Sequence, residues 1–203
     1  TSYSLKDIQN KNVQLDKMKQ ILSSLNVDTK GQDAEALYKQ YIQKDMIINS
    51  KGEVVAVQGG FNDVEEKVEL SKKLEERKLT VYVAQAEGQT KDIIPLYGQG
   101  LWGPIWGYVA LNEDKNTVYG TYFSHAGETP GLGAEIATES FQAPFIGKHI
   151  MKDNKFVSIA VVKPGKTAVG QDYVDGISGG TITSVAVENM LKNCLEQYTN
   201  FLM

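Results

Sequence analysis

The C-terminal segment sets the strongest condition on the fold. Val187, Leu191, Cys194, Leu195, Tyr198 and Leu202 fall on a single stripe at helical spacing. A helix that is apolar on one side only must bury that side against another element. The preceding chain offers strands for this: Leu79–Ala84, Ile105–Leu111, Thr117–Phe123 and Phe156–Val162 are rich in β-branched and aromatic residues and separated by Gly, Pro, Asn and Asp clusters. Further upstream, Met46-Ile47-Ile48 and Val54-Val55-Ala56-Val57 flank Asn49-Ser50-Lys51-Gly52-Glu53, the pattern of a hairpin.

Two helices are expected before that hairpin. Leu5, Ile8, Leu15, Met18, Leu22 and Leu25 form an amphipathic stripe expected to pack on the domain, and Ala34, Leu37, Tyr38, Tyr41 and Ile42 share a face behind Asp33 as N-cap. The stretch from Val64 to Lys78 is dense in Glu and Lys and reads either as a solvated helix or as an irregular excursion. The order of elements predicts an α+β fold: an antiparallel-rich sheet with flanking helices and a long C-terminal helix.

Composition removes several function classes. The 203 residues can bury a core without disulfides. Lys and Arg number 21 against 25 Asp and Glu, with the signs interspersed, so no basic face is available for nucleic acid or an anionic bilayer. Cys194 is the only cysteine, which excludes an intrachain disulfide and any iron–sulfur or metal site built from several cysteines. The two histidines, His125 and His149, cannot make a histidine metal cluster, and a structural role is the plainer reading of His125. The longest apolar runs are of strand length and too short to span a bilayer. No G-x-G-x-x-G opens a helix after a strand, so a dinucleotide fold is not expected. The chain opens at Thr1, without methionine, and enters a helical pattern almost at once, as a protein trimmed after an anchor would.

Three segments carry candidate chemistry. In Tyr97 to Tyr108, glycines permit close backbone approach to a flat ligand, and Trp102 and Trp106 offer aromatic surface. A turn followed by an aromatic edge strand explains the same residues, and taken alone they favour it. In Ser124 to Ile136, a Gly/Pro loop turns N–H groups and a hydroxyl towards one point, which suits the edge of a heteroaromatic ring. A helix-start loop with no ligand is the competing reading. In Asp175 to Ser184, Gly176, Gly179 and Gly180 surround Ser178 and lead into Thr181, Thr183 and Ser184 at the mouth of the last helix. A helix N-terminus is a good seat for a phosphate, although Ser and Thr caps are common everywhere.

Together the three segments resemble one family. Asp175-x-x-Ser178-Gly179-Gly180-Thr181 resembles the D-x-x-S/T-G-A-T flavinylation sequence of the FMN-binding domain family, which includes the NqrC component of the sodium-translocating NADH:quinone reductase and the related RnfG component of Rnf complexes. The Glu-Thr-Pro-Gly-Leu-Gly core from Glu128 to Gly133 and the stretch Gly100 to Tyr108 are similar to two further segments of that family, and the helix from Leu5 resembles the stretch just after its membrane anchor. The likeness covers nearly the whole chain and is closer to the NqrC branch. One departure is Gly180, where the family usually has Ala.

The resemblance implies a division into an N-terminal helical segment, residues 1–45, and an FMN-binding domain, residues 46–203. It implies FMN joined through its phosphate to Thr181 by a separate flavin transferase that takes FMN from FAD. The ring contacts implied are Trp102, Glu128, Thr129, Leu132 and Gly133, with Asp175, Ser178, Gly179, Gly180, Thr183 and His125 completing the site. Thr183 is expected inside the first helical turn, its hydroxyl placed to hydrogen-bond the phosphate. Asp175 is expected to serve recognition by the transferase. The function implied is an electron carrier within a NADH:quinone reductase, relaying electrons towards quinone without binding NADH. Its partners would be the other subunits of the complex. Its place would be the bacterial inner membrane, with the domain on the periplasmic side behind an anchor absent from this chain. The rivals are an Rnf-type carrier of the RnfG branch, a flavin-free periplasmic binding or scaffold domain, and a serine hydrolase using Ser178, His125 and Asp153. The last fails on sequence, because Gly176-Ile177 precede Ser178 where such proteases need Gly-Asp, and long helices occupy both ends.

Overall fold

The computed structural model describes residues 4–203. Its centre is a six-stranded sheet in the order β2-β1-β3-β4-β5-β6, each neighbour antiparallel. The strands are β1 (Ile42–Ile48), β2 (Val54–Ala56), β3 (Leu79–Ala86), β4 (Gln89–Gln99), β5 (Pro104–Leu111) and β6 (Val118–His125). Two small pairs complete the strands: β7 (Met151–Lys152) with β8 (Lys155–Phe156), antiparallel, and β9 (Ala160–Val162) with β10 (Tyr173–Asp175), parallel. The helices are α1 (Leu5–Ser24), α2 (Ala34–Tyr41), three short turns α3 (Gly60–Asp63), α4 (Glu66–Leu70) and α5 (Glu139–Gln142), then α6 (Thr181–Glu196) and α7 (Thr199–Leu202).

Alternation along the strands sends side chains to two separate cores. On one face, Val81, Ile94, Leu96, Ile105, Val109 and Phe123 meet Val187, Met190, Leu191, Cys194 and Leu195 of α6. On the other, Tyr82, Ala84, Ile93, Tyr108 and Ala110 meet Ile21 at the end of α1, Leu25 just beyond it, and Phe61. Each fully buried Leu or Ile contributes about 1.5–3 kcal/mol, so the C-terminal stripe anchors α6 firmly across the sheet. Cys194 lies within that stripe: its thiol donates to Tyr97 O (3.3 Å), and burial pushes its pKa up to about 11.

Several expectations need correction. β4 escapes the strand pattern because Lys91, Asp92 and Pro95 interrupt it, yet it lies between β3 and β5. Pro95 is tolerated because pairing with β3 stops at Tyr82↔Ile93, leaving that end of β4 paired with β5 alone. β5 is therefore internal, not an edge strand. The run Phe156–Val162 is not one strand: Ser158 takes φ +61°, so Phe156 belongs to β8 and Ala160–Val162 to β9. The C-terminal stripe is carried by two helices, since the chain turns at Gln197 and Tyr198, whose hydroxyl donates to Thr80 O (2.8 Å). Only the C-terminal end of α1 packs; Leu5 is 73% exposed and Ile8 48%. Asp33 caps α2 as expected, accepting from Ala36 N. The excursion from Val64 to Lys78 holds only α4 and a single 3₁₀ turn. The boundary at 45/46 falls inside β1, which pairs with both β2 and β3.

Candidate functional site

At one end of the sheet, three connections converge. The β4–β5 turn is closed by Gly100 N donating to Gly103 O (2.8 Å), and it lifts Leu101 and Trp102 clear of the strands. Trp102 is 68% exposed. Trp106, by contrast, turns to the opposite face, where its indole N–H donates to Gln20 Oε1 (3.1 Å), so it takes no part in the site.

The loop after β6 is folded tightly on itself. Glu128 N donates to His125 Nδ1 (3.0 Å), and Thr129 O accepts from Leu132 N and Ala134 N (3.0 and 3.1 Å). This places Thr129, Leu132 and Gly133 beside the start of α6. Gly133 is required there, because a Cβ would overlap the Thr183 hydroxyl and stand 3.3 Å from Glu128 Cβ.

The start of α6 is pinned from inside. Ser184 Oγ accepts from Ile177 N (2.9 Å) and donates to Gly180 O (2.8 Å), which fixes the turn that delivers Thr181. Gly179 needs its φ of +77°, a conformation that L side chains rarely adopt. No side chain caps α6, so the positive end of its dipole faces outward beside the exposed Thr181 hydroxyl. At Gly180, the alanine usual in the family would bring a Cβ to 3.1 Å from Ile177 Cγ2 and 3.3 Å from Gly133 N. Here the neighbours would have to give slightly, and glycine relieves that contact.

Glu128 joins the three segments. Its Oε1 accepts from Leu101 N (2.9 Å) and from the Thr183 hydroxyl (2.6 Å), and its Oε2 accepts from Trp102 N (2.8 Å). Burial works against ionisation, but these hydrogen bonds outweigh it and hold the carboxyl below the usual carboxylate range. Thr183 therefore spends its hydroxyl proton on Glu128.

Between the segments lies a cavity of about 390 Å³, lined by Leu101, Trp102, Thr129, Leu132, Gly133 and Gly179 to Thr183. That volume lies within the roughly 300–1,000 Å³ of small-molecule sites. Eight residues singled out from sequence line it: Trp102, Thr129, Leu132, Gly133, Gly179, Gly180, Thr181 and Thr183. Glu128 and His125 stand behind its wall. Ser178 lines a neighbouring cleft of about 340 Å³, with Val162, Lys163, Ile177 and Ser184, which shares Gly179 and Thr181 with the first. Asp175 ends β10, exposed, and lines neither.

Leu101 and Ile182 line the cavity without having been singled out. Ile182 is 59% exposed and lies off the apolar stripe of its helix; a large apolar residue in that position was the available signal. The residues fit a flavin mononucleotide: apolar and aromatic walls for a flat ring, an uncapped helix N-terminus for a phosphate, and a hydroxyl at the lip between them. The hydrolase reading finds no support. His125 Nδ1 is occupied by Glu128 N, and Asp153 sits in the β7–β8 turn. Among the described residues, no cluster of His, Cys, Asp and Glu could hold a metal, and no helix is long and apolar enough to cross a membrane.

The FMN-binding domain family matches residues 100–196, a span that takes in every segment of the cavity. The chain is 34% identical over 203 residues to the C subunit of the Na⁺-translocating NADH-quinone reductase of Haemophilus ducreyi, covering 93% of this chain and 79% of that protein. It is 32% identical over 200 residues to the corresponding protein of Vibrio vulnificus, covering 91% and 78%. Among solved structures, the C subunit of the Na⁺-translocating NADH-quinone reductase from Parabacteroides distasonis superposes with a TM-score of 0.93 at 47% identity, covering 100% of this chain and 98% of that one. NqrC of Shewanella oneidensis superposes at 0.77 with 26% identity, covering 93% and 95%.

Proposed function

We propose that this chain, which belongs to the NqrC family of the Na⁺-translocating NADH-quinone reductases, carries FMN as a phosphoester on Thr181 and relays electrons from it towards quinone. The family is that of a subunit of an oxidoreductase complex, and the match to the FMN-binding domain supports a flavin-carrying role. The observation that carries the finer reading is the position of Thr181: exposed, at an uncapped helix N-terminus, on the lip of a cavity with apolar and aromatic walls.

Bound FMN supplies reversible electron uptake and release. The protein's own contribution is positional. Leu101, Trp102, Leu132 and Ile182 would offer apolar surface to a ring, and the free N–H groups at the start of α6 would receive the phosphate charge. A covalent tether keeps the ring at high effective concentration beside the cavity even where the intrinsic affinity is modest, which permits an open, shallow site from which electrons can pass to partner subunits. Maturation by a flavin transferase would join the Thr181 oxygen to the FMN phosphorus of FAD, with AMP as the leaving group and the hydroxyl proton passing to solvent. We place the complex in the bacterial inner membrane and this domain on its periplasmic side, held by a segment ahead of α1.

Co-expression with a flavin transferase, followed by peptide mass mapping, tests the assignment. The expected result is an FMN mass increment on the peptide holding Thr181, absent in Thr181→Ala, which should fold normally and be colourless after denaturation. An increment that persists in Thr181→Ala, or lies on Ser178 or Thr183, would refute it.

A further inference from the structure

The cavity is backed by a carboxylate that has no ion-pair partner among the described residues. Glu128 is 3% exposed, and each of its three hydrogen-bond donors is supplied by a residue of the cavity wall: the backbone N–H groups of Leu101 and Trp102 and the hydroxyl of Thr183. The carboxylate therefore lies one hydrogen bond behind the surface that a ligand would touch. All three donors are neutral. None of the ion pairs among the described residues involves Glu128, and His125 is the single titratable group whose charge bears on it. Dipoles stabilise the ionised form without cancelling its charge, so its field reaches into the cavity through protein, where screening is weaker than in water.

The surroundings are shaped to keep it there. A Cβ on Gly100 would come within 2.7 Å of Glu128 Oε1, and one on Gly133 within 3.3 Å of Glu128 Cβ. Two glycines on different segments thus make room for one side chain. A neutral amide of the same shape would fit the space, but an amide NH₂ group would face donors at one of its two ends. The site is built for a group that only accepts.

We propose that the Glu128 carboxylate holds the reduction potential of the FMN down, acting as a fixed negative charge behind the ring. The inference rests on the reading that this cavity receives the ring of an FMN tethered at Thr181. Reduction brings two electrons to the ring, with protons drawn from water. A neighbouring negative charge opposes each electron and favours each proton, so its effect is greatest at alkaline pH, where reduced flavin keeps a net negative charge. A carrier poised in this way releases electrons more readily to its acceptor. Glu128 touches the ring's walls, not the ring, and acts through space.

The test uses the parent chain, Glu128→Gln and Thr183→Val, each co-expressed with a flavin transferase, checked for the mass increment on the Thr181 peptide, and titrated potentiometrically at pH 8 with dithionite as reductant. Glu128→Gln should move the reduction equilibrium at least tenfold towards the reduced form, a midpoint about 30 mV more positive for a two-electron couple. Thr183→Val removes one donor but keeps the charge, so its midpoint should equal the parent's or lie below it. A role confined to packing would move both variants the same way. Loaded parent and Glu128→Gln proteins with equal midpoints would overturn the inference and leave the carrier reading intact. A parent that takes no FMN would overturn the carrier reading, and this one with it. Should Glu128→Gln fail to fold or load, Thr183→Val decides alone: a midpoint above the parent's overturns the proposal.

Discussion

Thr181 stands between two clefts of similar size that differ in how their walls are held. One is walled by Leu101, Trp102, Leu132 and Ile182, exposed by 46%, 68%, 43% and 59%: large apolar surface left without a protein partner. The other is walled by Val161, Val162, Lys163, Ser178 and Ser184: Lys163 and Ser178 are exposed on its rim, while the groups nearest the turn are engaged within the chain. Ser184 Oγ serves Ile177 N and Gly180 O, and Val161 N donates to Glu188 Oε1 (3.0 Å). Unsatisfied surface marks a place for a ligand, whereas satisfied groups mark a support. The same hydroxyl thus faces a seat on one side and its scaffold on the other.

Four substitutions or conditions would break or sharpen that contrast. The largest effect is expected from Gly133→Ala, whose methyl group would collide with the Thr183 hydroxyl and break its bond to Glu128. Overpacking of this kind costs up to about 3 kcal/mol, readable in a denaturant melt, and flavin loading should fall with it. Unchanged stability together with full loading would show that the seat is softer than it looks.

Acid should act on the scaffold side. Desolvation opposes ionisation of Asp172, but Lys152 and the backbone N–H and ring of His149 outweigh it and lower its pKa from 3.8 to about 2. A depressed folded-state value means that the stabilisation is complete above pH 3.8 and is lost as pH falls towards 2. Its size is about 2 kcal/mol. Asp172→Asn should flatten stability over that window; an unchanged acid melt would deny the staple its role.

Smaller still, Ser184→Ala should cost about 1 kcal/mol through the orphaned Ile177 N–H and should slow flavinylation by loosening the turn, with little change in the spectrum of whatever FMN is bound. Trp102→Ala on the seat side should show the reverse. It should change stability by less than about 0.5 kcal/mol, since the side chain is mostly exposed, but alter the visible spectrum and fluorescence of loaded protein. If the two variants exchanged signatures, the assignment of seat and scaffold would be inverted.

How much could be read ahead of the structure depends on how local each signal is. The stripe from Val187 to Leu202, the Asp33 cap and the hairpin around Asn49 to Glu53 depend on neighbours in sequence, and all three are found, with the stripe divided between α6 and α7. β4 depends on context: Lys91, Asp92 and Pro95 mask a strand whose place between β3 and β5 is decided by the sheet. In the site, glycine and hydroxyl patterns marked three segments, and the family resemblance supplied the individual residues, eight of which line one cavity. The part played by Glu128 was not legible, because its partners Leu101, Trp102 and Thr183 lie up to 55 residues away and meet only in the fold.

Cys194 has a chemical consequence for a protein with this proposed role. A reduced flavin open to solvent reacts with dioxygen, and the peroxide that forms attacks thiolates in preference to thiols. The only sulfhydryl of this chain is 2% exposed, under α6 on the sheet, and burial pushes it up to about 11. Burial thus holds it in the unreactive thiol form at neutral pH. Cys194 is thus shielded both by access and by ionisation from oxidants generated at the far end of its own helix, and repeated turnover in air should leave no sulfenic acid on this protein.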